Sequence, residues 1–223
     1  MCGRFSLHQI AARLAEVFDV PEPNWTPRYN IAPTQPVLAV GLTVGQHGGD
    51  SARAARLLRW GLIPSWAKEE TIGSKLINAR SETVAEKPSF RSAFKQRRCL
   101  ILADGFYEWK RMPSKKQPYY FQRTDQEPFA FAGLWEHWHR EGLTIDSCTI
   151  LTTEANALLQ PIHDRMPVIL SPEDYDRWLD PGTPPVELQT LLRPADPDAM
   201  QTYPVSPLVN RPSYDSADCI NSL

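Results

Sequence analysis

Cys99-Leu100-Ile101-Leu102-Ala103-Asp104-Gly105-Phe106-Tyr107-Glu108-Trp109-Lys110 is the stretch from which the fold class follows. Residues 99–103 form an unbroken apolar run and read as a strand. Asp104-Gly105 is a turn pair, and residues 106–110 alternate as a second strand, so the segment reads as strand, turn, strand. Working outward, further strands are expected at Val37 to Val44, Leu57 to Ile63, Tyr119 to Arg123, Phe129 to Trp138, Leu143 to Thr152, Val168 to Leu170 and near 200–205. Residues 45–52 read as a surface hairpin loop.

Helical signals fall between these strands. Ser6 is placed to cap a helix carrying Ile10, Leu14, Val17 and Phe18 that ends before Pro21. Short helices are expected around 89–96, 154–160 and 185–192. Another follows Ser171, with Pro172 in its first turn and Glu173-Asp174 complementing the helix dipole. Many strands at short spacing with helices between them define an α+β chain with a curled, barrel-like sheet. No internal repeat or linker divides the 223 residues, so one domain is expected, with a core over about 2–207 and an irregular tail.

Composition narrows the function. Apolar residues are 42% and charged residues 22%, ordinary for a globular chain, and the net charge of −2 calls for a local basic groove if the partner is a nucleic acid. Cys2, Cys99, Cys148 and Cys219 form no C-x-x-C pair, and the histidines lack metal-ligand spacing, so neither metal nor cofactor is expected. Cys99 and Cys148 sit in apolar runs and read as reduced core residues. With no signal-peptide pattern and no apolar stretch near twenty residues, a cytoplasmic protein is expected, away from membranes.

The chemistry begins at Met1-Cys2-Gly3-Arg4-Phe5. Removal of Met1 gives Cys2 a free α-amine beside its thiol. An α-amine of pKa about 7.7–8.0 is roughly one-tenth unprotonated at neutral pH, hundreds of times the free fraction of an ordinary lysine. Such an amine condenses with an aldehyde, and the adjacent thiol then closes a five-membered thiazolidine. The segment is an aldehyde trap or an N-terminal thiol nucleophile, and Phe5 is the apolar anchor that would dock it.

Three polar residues stand in apolar or aromatic surroundings: Asn78 after Leu76-Ile77, Glu108 among Phe106, Tyr107 and Trp109, and His163 after Ile162. Burial of Glu108 would bring it towards a usable acid/base, and histidine suits proton shuttling. Arg4, Arg80 and Arg165 lie within a few residues of these groups and are phosphate-binding candidates. Trp66, Trp109 and Tyr29 are candidates for stacking on unpaired bases. Trp60, Trp135 and Trp178 read as core, and Lys115-Lys116 as a solvated hairpin tip.

Six ordered motifs resemble the SRAP (SOS response-associated peptidase) family of abasic-site processing proteins over almost the full length. They are residues 1–5, Tyr29-Asn30-Ile31-Ala32-Pro33, Trp60-Gly61-Leu62-Ile63-Pro64-Ser65-Trp66, Ile77-Asn78-Ala79-Arg80-Ser81-Glu82-Thr83, Asp104-Gly105-Phe106-Tyr107-Glu108-Trp109 and His163-Asp164-Arg165-Met166-Pro167. The resemblance implies a protein that captures ring-opened abasic sites in single-stranded DNA through a thiazolidine crosslink, and a monomer is the default expectation. It implies Cys2 as nucleophile, Asn78 on the trapped sugar, Glu108 handling protons at the Cys2 amine, and His163 as acid/base in ring opening and reversal. Arg4, Arg80 and Arg165 would hold phosphates, and Asn30, Trp66 and Trp109 would also contact DNA. The rival classes are an N-terminal-cysteine peptidase or amidase and a non-covalent reader of damaged DNA.

Overall fold

The computed structural model describes residues 2–43 and 51–223. Strands follow in chain order: β1 (Phe5–Leu7), β2 (Arg28–Ile31), β3 (Pro36–Thr43), β4 (Ala52–Trp60), β5 (Asn78–Arg80), β6 (Arg98–Ala103) and β7 (Gly105–Arg111). Then come β8 (Lys116–Arg123), β9 (Phe129–Arg140), β10 (Leu143–Glu154), β11 (Arg165–Pro167), β12 (Ile169–Leu170) and β13 (Met200–Pro204). The helices are α1 (Ala11–Phe18), α2 (Arg91–Gln96), α3 (Tyr175–Leu179) and α4 (Pro185–Leu191).

Strands β4, β3, β6, β9 and β10 close on one another into a five-stranded barrel. Its β10–β4 seam is parallel and the other pairings are antiparallel. Closure removes the exposed sheet edges that would otherwise template association. A second, antiparallel sheet runs β13-β8-β7-β1-β2. The protein is a single α+β domain.

The defining stretch folds differently from a hairpin. β6 pairs with β3 and β9 in the barrel, whereas β7 pairs with β1 and β8 in the other sheet. Asp104-Gly105 is therefore the crossing point between sheets. Asp104 is buried and receives Ser6 Oγ–H at 2.6 Å, Gln9 N–H at 3.0 Å and the His8 N–H. Glycine follows it because a Cβ on Gly105 would meet the Tyr120 ring at 2.1 Å. Ser6, expected as a helix cap, is a buried β1 residue in this latch, and α1 starts only at Ala11. Ser171 makes no side-chain cap bond, and the helix expected at 154–160 is absent: 157–162 form turns after β10, with Asn156 Oδ1 accepting from Leu159 N–H at 3.0 Å.

Phe5 is fully buried, edge-on to Trp60 at 5.1 Å and to Phe131 at 5.6 Å. Full burial of such a side chain stabilises by about 1.5–3 kcal/mol, and it ties the N-terminal segment to the barrel. Cys99 and Cys148 are free buried thiols, and burial pushes Cys99 up to about 12. The expected surface loop at 45–52 lies largely outside the described residues. The segment after Pro204 folds into 3-10 turns at Pro207–Asn210 and Ala217–Ile220, burying Val209 and Cys219.

Candidate active site and nucleic-acid groove

Cys2 has no exposed surface, and its carbonyl receives Asn78 Nδ2–H at 2.8 Å. Asn78 opens β5, which lies parallel to β10 with Asn78 opposite Ile150. The barrel strand β10 thereby fixes the residue that fixes Cys2. Asn78 Oδ1 is buried and makes no hydrogen bond among the described residues, so an acceptor is available beside the cysteine. Burial, reinforced by the Glu108 carboxylate, raises the Cys2 thiol well above its ordinary range. Glu108 is itself only 3% exposed.

Glu108 and His163 line one groove of about 850 Å3, together with Arg4 and Trp109. His163 Nδ1 accepts the Arg165 N–H at 3.0 Å. Nδ1 also lies 3.0 Å from Asp164 Oδ1. The expected set of Cys2, Asn78, Glu108 and His163 is thus brought together from β5, β7, the N-terminal segment and the loop before β11.

The candidate DNA contacts divide. Arg4 lines the groove, with Nη1 donating to Asn30 Oδ1 and to the Val209 carbonyl, each at 2.8 Å. Arg80 is exposed and pairs in register with Thr152 of β10. Arg165 Nη2 donates to the Thr152 carbonyl at 2.7 Å, bringing the two arginines to one end of β10. Arg165 is also paired with Glu82 through both terminal nitrogens, one at 2.5 Å, and those bonds hold the Glu82 carboxyl below its usual range.

Asn30 does not reach the surface. It is fully buried, and its Nδ2 donates to the carbonyls of Val209, Arg211 and Tyr214 at 3.1, 3.0 and 2.7 Å. In this structure it holds Arg4 and the C-terminal segment. Trp66 is 59% exposed, beside a separate depression formed with Ile72 and Lys75. Trp109 Nε1–H donates to Asn210 Oδ1 at 2.7 Å.

Sequence reasoning missed Asn210, Lys110, Arg111 and Lys116, all of which line the groove. The run Lys115-Lys116 was the available signal. Among the described residues no three His, Cys, Asp or Glu side chains gather as a metal-holding group, and no helix is long and apolar enough to cross a membrane.

This is a barrel-plus-sheet protein with its second residue, a cysteine, sealed beside a carboxylate-bearing groove. The family model for SOS response associated peptidase (SRAP) matches residues 1–212. Abasic site processing protein YoqW of Bacillus subtilis is 48% identical over 229 residues, covering 100% of both chains. Abasic site processing protein HMCES of Xenopus tropicalis is 36% identical, covering 90% of this chain and 70% of its own. A crystal structure of a Bacteroides thetaiotaomicron protein superposes with a TM-score of 0.87 at 26% identity over the whole of both chains. The chain belongs to the SRAP family.

Proposed function

We propose that this protein processes abasic sites in single-stranded DNA by trapping the opened sugar on Cys2 once Met1 has been removed. The observation that carries this reading is the docking of Cys2, its carbonyl on Asn78 and its thiol within the influence of Glu108. The names of the relatives supply the lesion, and the chemistry of an N-terminal cysteine supplies the reaction.

His163 opens the sugar by moving a proton between the C1′ hydroxyl and the ring oxygen, leaving an aldehyde at C1′. The Cys2 amine adds to C1′, and water leaves to form an imine. The sulfur then bonds to C1′ while the S–H proton ends on nitrogen, closing the thiazolidine. A thiol raised by burial reaches that step protonated, so a base must take its proton as the C–S bond forms. Glu108 makes this transfer, and a positioned general base contributes about 10²–10⁴-fold. Ring closure removes an imine that would acidify the C2′ hydrogens, which favours shielding over strand cleavage. Arg4, Arg80 and Arg165 hold neighbouring phosphates, and Trp66 covers an unpaired base.

The test is denaturing gel electrophoresis of Met1-processed protein with single-stranded DNA bearing one abasic site. A heat-stable shifted band that disappears on intact DNA and with Cys2→Ser is the expected result. A durable band from Cys2→Ser, which keeps the amine and lacks the thiol, would defeat the assigned role of sulfur.

A further inference from the structure

Strands β7 and β8 form a hairpin whose tip carries Lys110, Arg111, Lys115 and Lys116. Arg111 and Lys116 stand directly opposite each other in its register. Like charges so placed destabilise a sheet, because their Cβ atoms are only about 4.5–5.5 Å apart. A hairpin under no other demand would set a carboxylate across from one of them. None of these four cations forms an ion pair among the described residues, although Arg13, Arg53, Arg59 and Arg97 each do. On a chain of net charge −2 this is a local excess of positive charge.

Lys110, Arg111 and Lys116 line the same groove as Glu108 and His163. The two-residue alternation of a strand puts Trp109 on the sheet face of Arg111 and Lys116. Its indole is tethered to Asn210. An aromatic ring beside paired cations at the rim of a groove matches what a single strand presents: a base face and, on either side, a phosphate.

We propose that the β7–β8 hairpin is a second station for single-stranded nucleic acid, where a base stacks on Trp109 and Arg111 and Lys116 take adjacent phosphates. It extends the groove beyond the lesion, and it rests on the reading of that groove as a DNA-binding surface. The bound phosphates offset the Arg111–Lys116 repulsion, each attracting its own cation.

The experiment measures affinity for a labelled, undamaged thymidine oligonucleotide across a salt series, with wild type, Arg111→Gln/Lys116→Gln and Lys115→Gln. Each phosphate contact on a single strand contributes about 0.7 to the slope of log K against log salt, so the double variant loses about 1.4. Its affinity loss between about 50 and 200 mM salt is then about sevenfold smaller than that of the wild type. Lys115→Gln, altering a tip lysine outside the groove lining, shifts the slope by less than half that amount. Without DNA, the double variant melts at or above the wild-type temperature because the like-charge pair is gone. An unchanged slope, an equal effect from Lys115→Gln, a lowered melting temperature in the double variant, or no wild-type binding would each overturn the station. Crosslinking to abasic DNA is scored separately at saturating protein. Its failure alongside the expected slopes would defeat the aldehyde trap and leave the station standing.

Discussion

Replacing Asn30 by alanine separates the role the structure gives this residue from a role at the DNA surface. Its two amide hydrogens are shared among the carbonyls of Val209, Arg211 and Tyr214, and its oxygen receives Arg4 Nη1. Two neutral hydrogen bonds at about 1 kcal/mol each and one to a charged donor at about 1.5–3 kcal/mol give a loss of about 4 kcal/mol. Unfolding entropy of about 2.1 cal/mol/K per residue, over 223 residues, converts this to a fall in Tm of about 8 °C. Binding of undamaged single strands should weaken too, since Arg4 keeps only the Val209 carbonyl. Differential scanning calorimetry gives the first quantity and a filter-binding titration the second. A variant that melts within about 2 °C of wild type but still loses DNA affinity would refute the reasoning, because it would make Asn30 a surface contact.

Glu108→Gln should move two observables in opposite senses. Removing the carboxylate takes away one of the two influences that raise the Cys2 thiol, so the pH profile of Cys2 alkylation, followed by peptide mass mapping, should shift to lower pH. Crosslinking should nevertheless slow by about 10²-fold or more, because the base is lost; an upward pH shift or an undiminished rate would contradict the assignment. Trp66→Ala should leave the melting temperature within about 1 °C, since the ring is 59% exposed, and should cost about 1–3 kcal/mol in affinity for single strands. Unchanged affinity in a fluorescence titration would remove Trp66 from the DNA path.

How far the sequence was legible depended on whether a signal was local. The apolar runs marked most strands, and the polar interruptions Asn78, Glu108 and His163 stood out against apolar neighbours. Both are properties of a few consecutive residues. Asp104-Gly105 shows where locality ends. The pair has the chemistry of a tight turn, yet Asp104 serves a buried latch to Ser6, His8 and Gln9, and Gly105 leaves room for Tyr120. Those partners are about a hundred residues away or arrive on another strand, so no window around the pair contains them. The burial of Asn30 was illegible for the same reason, its three carbonyl partners lying in the C-terminal segment. Lys115-Lys116 reads as a solvated tip until the register sets Lys116 against Arg111 and the groove is seen to include both.

The central claim is that Cys2 ends in a closed ring with the sugar carbon. Mass spectrometry of the nuclease- and protease-digested adduct, with and without borohydride, tests it most directly. The account predicts a Cys2 peptide carrying the sugar with loss of one water, unchanged in mass by borohydride because no C=N bond remains. A mass that rises by two hydrogens on reduction would show an open imine, and attachment at any residue other than Cys2 would contradict the account outright.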